Sequence, residues 1–391
     1  MTSCSAAVGA HPRPALELAD VIRLHAFHLT DVTSEQRKVM RALSSCRTAA
    51  LGGHVEVCDR CGHQRIAYNS CRNRHCPKCQ GSACARWMKQ RASELLPVEY
   101  FHVVFTLPQA FNTLAMANKR LVYGVLFDAV AQTLLEVAAN PKRLGAKIGF
   151  LGILHTWGQN LCLHPHVHCV VPGGGLSPDG SRWIACKPGF FLPVRVLSKV
   201  FRGKFIDLLR RRHAKEPLRG IAHDGALEAL IESTVRTDWV VYAKAPFGGP
   251  EQVLKYLSRY THRIAISNSR LVSMDDHDVS FQWKDYAHGS RDKVMTLDGA
   301  EFLRRFLMHV VPTGFMRIRH FGLLANRFRA DNLSRCRELL AALIPWFETD
   351  TPSDREASGS HDRCPVCGKG EMVRGAFVRP LPIQSLRMDT S

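Results

Sequence analysis

The sequence predicts an α+β fold, in which an antiparallel sheet with flanking helices follows a small domain of helices and a zinc ribbon. Three observations support this fold class. Strand-like segments with alternating apolar residues are separated by long helical stretches, and two of the strands lie close enough in sequence to form a hairpin. A cysteine-rich block lies upstream of them all. We expect three consecutive domains, at residues 1–97, 98–325 and 326–391.

The N-terminal domain is expected to begin with two amphipathic helices, at about residues 15–29 and 34–46. Ser34 has a side chain suited to cap the second of them. A third helix is expected at about residues 83–96. It should end there because Pro97 cannot continue a helix. The cysteine-rich block lies between the second and third helices.

This block contains two Cys-x-x-Cys pairs separated by fourteen residues. Two such pairs at this spacing are typical of a tetrahedral zinc site. We therefore predict that one structural Zn²⁺ is bound by Cys58, Cys61, Cys76 and Cys79. Three potential ligands are left over, either as buried side chains or as part of a second metal site: Cys71, His75 and Cys84.

Basic side chains are interleaved with these cysteines, and a further Cys-x-x-Cys pair lies far downstream. Arg72, Arg74 and Lys78 can each neutralise a phosphate, so we expect them to contact nucleic acid. The C-terminal pair, Cys364 and Cys367, is too little by itself to define a metal site. From about residue 349 the chain is rich in Ser, Asp, Thr and Pro, which predicts a loose polar tail after a C-terminal helix.

The middle of the chain is expected to form the sheet domain. Strands are predicted at about residues 100–107, 148–159, 166–171 and 239–243, with a hairpin at 264–283. Helices are predicted at about residues 111–139, 194–212, 226–234 and 296–310, and directly after the turn at Gly248-Gly249-Pro250.

Three histidines occur within five residues, at His164, His166 and His168. On a strand His166 and His168 point to one face, while Val167 points to the core. Two imidazoles on one face are suited to bind a divalent ion, although a strand can also carry such a pair without a metal. On the preceding strand His155 is our choice of third ligand and Gln159 is the alternative.

Two tyrosines, Tyr256 and Tyr260, are four residues apart in a helical segment. This spacing is also common in ordinary packed helices. Here, however, the pair is surrounded by cationic side chains, which favour phenolate and attract phosphate. The cations expected to contact nucleic acid in this segment are Lys255, Arg259 and Arg263.

Composition indicates a polyanionic partner. The chain has 53 Lys and Arg residues against 34 Asp and Glu residues, a formal net charge of +19. DNA or RNA is the leading candidate, and a basic surface that serves only solubility is the alternative. No signal peptide is recognisable, and the apolar run at 122–139 is broken by polar residues, so we expect no membrane association. The 14 cysteines then belong in a reducing compartment, the cytoplasm.

Together the motifs resemble those of the HUH nucleases, and most closely those of the two-tyrosine rolling-circle transposases of the insertion sequence ninety-one family. The resemblance covers about residues 20–325. It rests on the two cysteine motifs and on four further motifs in family order: Leu154-His-Thr-Trp-Gly, His164-Pro-His-Val-His168, Gly173-Gly-Gly175 and Tyr256-Leu-Ser-Arg-Tyr260.

The resemblance implies a transposase that cleaves and rejoins single-stranded DNA through a 5′-phosphotyrosine intermediate. It implies Mg²⁺ or Mn²⁺ bound by His166, His168 and a third ligand, with Tyr256 and Tyr260 as nucleophiles. The N-terminal cysteine motifs would bind structural Zn²⁺. Two other functions remain open: a rolling-circle replication initiator or relaxase with the same chemistry, and a zinc-dependent DNA-binding regulator without catalysis.

Overall fold

The computed structural model describes residues 16–247, 252–253, 264–286, 288–343 and 363–381. The chain divides into two compact units. The first combines residues 1–80, 266–307 and 349–391, and the second combines residues 81–265 and 308–348. Both units are assembled from segments that are distant in sequence, which differs from the three consecutive domains that we expected.

Within the described residues the helices and strands have the following bounds. The helices are α1 Leu18–His25, α2 Ser34–Ser44, α3 Pro77–Ala92, α4 Asn112–Ala117, α5 Lys119–Ala139, α6 Val194–Lys215, α7 Asp224–Val235, α8 Gly299–Met308 and α9 Arg329–Leu343. The strands are β1 Gly53–Cys58, β2 Gln64–Tyr68, β3 Tyr100–Thr106, β4 Gly149–Trp157, β5 Leu163–Pro172, β6 Gly174–Leu176, β7 Trp183–Ala185, β8 Val241–Phe247, β9 Leu271–Met274, β10 Asp278–Asp285, β11 Arg291–Asp298, β12 Ile318–Gly322 and β13 Met372–Val378.

The second unit is built on a five-stranded sheet in the order β12-β4-β5-β3-β8, with every neighbouring pair antiparallel. The expected α+β class and the strands that were predicted at 100–107, 148–159 and 166–171 are therefore confirmed. The long helix predicted at 111–139 is instead two helices, α4 and α5. They are separated at Asn118, whose φ of −131° and ψ of 44° are not helical.

Alternation along the strands gives this sheet two different faces. Phe105, Leu154 and Val167 lie on one face, in a core that also contains the buried residues of α5 and α6. Tyr100, Ile153 and Val170 lie on the other face, in a smaller apolar cluster. The predicted inward orientation of Val167 is thus confirmed, and the histidines beside it in β5 belong to the opposite face.

Helix α5 is the one helix among the described residues that is long and apolar enough to cross a membrane by length and composition. In its most apolar stretch 67% of the residues are buried inside the protein. Asp128 and Glu136 lie among them in sequence, and Lys204 of α6 forms an ion pair with Glu136. The helix therefore has the character of a core helix packed against α6.

The first unit contains two three-stranded sheets, β13-β1-β2 and β11-β10-β9. Strand β13 pairs antiparallel with β1, so that Cys58 lies opposite Met372. The prediction of a loose C-terminal tail is therefore wrong for residues 372–378, because their backbone groups complete the edge of an N-terminal sheet. The hairpin predicted at 264–283 is found as β9 and β10, and the sheet extends to β11.

The second unit contains a fully buried histidine, His309, whose pKa is lowered to about 4 by burial. Its Nδ1 accepts a hydrogen bond from Thr156 Oγ1 at 3.2 Å, and its Nε2 donates to the Leu161 carbonyl at 3.0 Å. In the unfolded chain a histidine has a pKa near 6.5, so above that pH His309 is neutral in both states and does not oppose folding. As the pH falls from 6.5 towards 4, the unfolded chain takes up a proton that the folded protein does not, and the free energy of unfolding decreases.

We expect His309→Asn to be less stable than the parent at pH 7, by roughly 1–3 kcal/mol, because it cannot make both hydrogen bonds. The variant should lose less stability than the parent between pH 7 and pH 5. Urea unfolding followed by tryptophan fluorescence measures both quantities. Phe315→Leu, a cavity variant in the same unit, should keep the parental pH dependence. Equal pH dependence in the His309→Asn variant and the parent would contradict this role for His309.

Candidate metal centres

Three histidines converge on the face of the five-stranded sheet that carries the smaller apolar cluster. In the β4–β5 hairpin His155 lies opposite His166, and Ile153 lies opposite His168. His155, His166 and His168 can each offer a nitrogen such that all three nitrogens lie within 4.8 Å of one another. His155 and His168 are buried, while His166 is half-buried. The sheet thus brings together the three histidines that the sequence singled out as ligands.

Hydrogen bonds fix the orientation of two of these rings. His166 Nδ1 lies 2.6 Å from the backbone carbonyl oxygen of His164, and it must donate a proton there. His168 Nδ1 lies 2.8 Å from Nε2 of His102 in β3. Both contacts use Nδ1 and direct Nε2 to the common centre, which is how metal-binding histidines are usually held.

His102 is a further candidate residue of this site that the sequence motifs did not indicate. It is buried, and burial together with the nearby Lys244 lowers its pKa to about 4. A neutral His102 can accept the proton that His168 donates from Nδ1, which leaves the His168 Nε2 lone pair for a metal ion. Strand alternation could have identified it, because Val104 lies opposite His168 and His102 lies two residues away on the same face.

The donor set fits a divalent cation with open coordination positions. Three imidazoles can bind such an ion and leave room for water or phosphate oxygens. Trp157 stacks on His155, with ring centroids 4.8 Å apart and an angle of 19° between the planes. Gln159, the alternative third ligand, lies in the turn beyond the end of β4.

The predicted tyrosine pair cannot be located relative to this centre. Tyr256 and Tyr260 lie outside the described residues, as do the three cations named with them, Lys255, Arg259 and Arg263. Their roles stay predictions.

Two groups of four cysteines lie in the first unit, and they do not match the predicted quartet. Cys58 and Cys61 lie with Cys364 and Cys367, whereas Cys76 and Cys79 lie with Cys46 and Cys71. The prediction that Cys58, Cys61, Cys76 and Cys79 bind one zinc ion is therefore wrong in its pairing. Strand β2 lies between the two Cys-x-x-Cys pairs in sequence, and each pair lies beside cysteines from other parts of the chain.

The Sγ atoms of Cys46, Cys71, Cys76 and Cys79 all lie within 4.8 Å of one another, close enough to bind one metal ion. The Sγ atoms of Cys46 and Cys79 are 3.5 Å apart, and those of Cys71 and Cys79 are 3.7 Å apart. A zinc ion with Zn–S bonds of about 2.3 Å requires sulfur separations of about 3.8 Å. Cys71, which the sequence left unassigned, is thus a member of the set; His75 and Cys84 are not in either group.

Electrostatics also favour a cation in this group. Hydrogen bonds from the thiols of Cys71 and Cys76 lower the pKa of Cys46, while the bond to Cys46 raises the pKa of Cys76. One thiolate therefore forms readily, and it opposes ionisation of its neighbours. A divalent cation removes this opposition, because its charge is shared among the sulfurs.

The basic residues expected to contact nucleic acid in this region differ in their surroundings. Arg72 and Arg74 are exposed, and Arg72 has a φ of 52°, a left-handed conformation that is uncommon for a side chain of its size. Lys78 Nζ instead forms an ion pair with Glu17 at 2.6 Å. Arg72 and Arg74 are thus exposed at the surface, and Lys78 is partly buried in an ion pair.

Two families match the chain. The transposase zinc-binding domain matches residues 20–107, and the family described as "Putative transposase" matches residues 149–332. The first match contains all four cysteines of the group at Cys46, Cys71, Cys76 and Cys79. The second contains His155, His166 and His168.

Two relatives match nearly the whole chain. Putative transposase y4qJ of Sinorhizobium fredii (strain NBRC 101917 / NGR234) is 54% identical over 379 residues, which cover 92% of this chain and 95% of the relative. The transposase for insertion sequence element IS801 of Pseudomonas savastanoi pv. phaseolicola is 28% identical over 399 residues, 97% of this chain and 93% of the relative. Among solved structures, the metal-bound conjugative relaxase TrwC in complex with oriT DNA is 15% identical, with a TM-score of 0.25, over 62% of this chain and 72% of its own.

The hydrogen bond from His168 to His102 leads to a prediction about metal affinity. His102→Leu removes the acceptor, so Mn²⁺ binding to the full-length protein should weaken by about 10–100-fold. His102→Gln retains an acceptor oxygen and should lose less. Titration calorimetry with Mn²⁺ measures the affinities, and His320→Gln in β12 serves as the matched control. Parental affinity in His102→Leu would show that the hydrogen bond does not support the centre.

Proposed function

Because the chain belongs to the insertion sequence ninety-one family of transposases, which carry an N-terminal zinc-binding domain, we propose that it cleaves and rejoins single-stranded DNA through a 5′-phosphotyrosine intermediate. The observation that carries the proposal is the convergence of three histidine nitrogens within 4.8 Å, in the part of the chain that the family match covers. The two-tyrosine motif at 256–260 lies in that same part.

In the proposed reaction, the hydroxyl oxygen of Tyr256 or Tyr260 attacks the phosphorus of a DNA phosphodiester. A bond forms between the phenolic oxygen and phosphorus, and the bond from phosphorus to the 3′ oxygen breaks. The phenol loses its proton, and the departing 3′ oxygen gains one. The phosphotyrosine preserves the energy of the original ester, so a 3′-hydroxyl can reverse the step on another strand without ATP.

The centre at His155, His166 and His168 would hold the Mg²⁺ or Mn²⁺ that this chemistry requires. When bound, the ion polarises a phosphate oxygen and stabilises charge in the transition state. The protein supplies the orientation: His102 and the His164 carbonyl oxygen hold the rings of His168 and His166 in place. Preset ligands cost little reorganisation during the reaction.

DNA is the partner of this transposase, and its net charge of +19 supports binding to the phosphate backbone. We propose that the DNA is single-stranded where it is cut, since a phenol must approach the phosphorus in line with the leaving oxygen. Exposed Arg72 and Arg74 are proposed phosphate contacts of the zinc-binding domain. The proposed place of action is the cytoplasm.

Removing one histidine ligand should abolish cleavage while DNA affinity stays nearly unchanged. We expect His166→Ala or His168→Ala to slow cleavage at least about 100-fold, since metal polarisation contributes several kcal/mol and about 1.4 kcal/mol corresponds to tenfold in rate. Affinity is spread over many Lys and Arg contacts and does not depend on one ligand. A labelled single-stranded oligonucleotide reports both quantities. Exposed His28→Ala is the control, and normal cleavage by both ligand variants would refute the centre.

The tyrosines should be distinguishable by covalent adducts on denaturing gels. Tyr256→Phe or Tyr260→Phe should each leave one adduct on an oligonucleotide but impair complete transposition, because the second nucleophile is missing. The double variant should form no adduct. Phe keeps the ring and its packing, so a role limited to packing predicts almost no change. If the parent forms no adduct yet binds DNA, the chain acts as a regulator and the catalytic proposal fails.

A further inference from the structure

The second cysteine group is formed by two segments from opposite ends of the chain. Cys58 and Cys61 lie at the turn of the β1–β2 hairpin, and Cys364 and Cys367 lie before β13. The Sγ atoms of Cys58 and Cys367 are 3.7 Å apart, and those of Cys61 and Cys364 are 3.6 Å apart. These separations are near the roughly 3.8 Å of a tetrahedral zinc site and far from the roughly 2.05 Å of a disulfide.

The two Cys-x-x-Cys-Gly turns have matching backbone structures. In the N-terminal turn the Gly62 N–H donates to the Cys58 carbonyl at 3.1 Å, and in the C-terminal turn the Gly368 N–H donates to the Cys364 carbonyl at 2.9 Å. Both glycines are left-handed, with φ of 68° and 65°. Glycine adopts that conformation without strain, so each turn closes in the same way around its two sulfurs.

Backbone donors in both turns also point at sulfur. The N–H groups of Arg60 and Cys61 each lie 3.4 Å from Cys58 Sγ, and the Gly370 N–H lies 3.3 Å from Cys367 Sγ. Such contacts stabilise thiolate, the form of cysteine that binds metal. Gly370 further allows the two turns to approach closely, because a Cβ there would lie 2.4 Å from Cys58 Sγ.

Around these four cysteines, few apolar contacts and hydrogen bonds hold the C-terminal segment against the β1–β2 hairpin. The local apolar cluster consists of Cys58, Cys364 and Met372, with Cys367 packed against them. Beyond the β1–β13 backbone pairing, few described hydrogen bonds join the segments: Asp59 N–H to the Glu371 carbonyl, Glu371 N–H to the Asp59 carboxylate, Arg374 Nε to His54 Nε2, and Leu381 N–H to the Ala49 carbonyl. A segment with so small a core usually requires a metal ion or a disulfide to fold.

We propose that Cys58, Cys61, Cys364 and Cys367 bind a second structural zinc ion, and that this ion joins the C-terminal segment to the N-terminal zinc-binding domain. The matched zinc-binding domain ends at residue 107 and contains only half of these ligands. The protein therefore binds two zinc ions, one in each cysteine group. This inference does not depend on the cleavage chemistry.

Zinc content tests the proposal directly on purified full-length protein. The parent should contain about two zinc ions per chain, and Cys364→Ser with Cys367→Ser should contain about one. Cys71→Ser with Cys76→Ser should also contain about one, and the control Cys162→Ser, an exposed cysteine outside both groups, should keep two. One zinc ion in the parent, or two in the C-terminal double variant, would overturn the proposal.

Two further measurements separate ligand loss from misfolding. Cys367→His provides a nitrogen ligand, and three cysteines with one histidine also bind zinc, so it should retain two ions where Cys367→Ser retains one. Two zinc ions in the Cys367→Ser variant would count against a metal role for this position.

A protease site inserted after Ser358 allows the two segments to be disconnected. After cleavage the C-terminal fragment should remain bound to the rest of the chain, and a zinc chelator should release it. Separation before chelation, or retention after removal of all zinc, would contradict the joining role of the ion.

Discussion

The register of the β4–β5 hairpin is the constraint on which the histidine centre depends. Since His155 lies opposite His166 in antiparallel strands, period-two alternation places all three histidines on one face. A shift by one residue would turn them towards α5 and α6 and would take Leu154 and Val167 out of the core. Apolar burial on one face of the sheet therefore fixes the positions of polar ligands on the other. The strand register alone sets the spacing of the three histidines.

Local patterns allowed much of this unit to be predicted from sequence. Alternation around Val167 identified β5 and its histidine face, and the short connection to β4 indicated the partner strand. His102 was not identified, because its contact with His168 arises from the pairing of β3 with β5, which are 66 residues apart at that point. Loops and helices between two strands carry no local signal of which strands become neighbours. The break at Asn118 was missed for a different reason, since the apolar pattern continues through it.

The cysteine groups, too, depend on contacts between segments that are distant in sequence. Each Cys-x-x-Cys pair was recognised from its spacing, but spacing within a pair does not determine which pairs share an ion. Cys46 follows the end of α2 without a cysteine neighbour, so nothing in its immediate sequence indicates a ligand. Cys364 was set aside because a single pair after a polar stretch is weak evidence. The long-range pairing of β13 with β1, visible only in the structure, brings Cys364 to its partners, and Cys46 lies beside cysteines that are 25 to 33 residues away in sequence.

The pairing of β1 with β13 has a consequence for synthesis of the chain on the ribosome. Strand β1 is made early, but Cys58 and its neighbour Cys367 are separated by 309 residues. At translation rates of 5–20 residues per second, about 15–60 s pass between the synthesis of β1 and the synthesis of β13. During that interval its edge is unpaired and open to other chains. A transcript truncated before codon 372 would never supply β13, so only a chain translated through this strand can complete the sheet of β1 and β2.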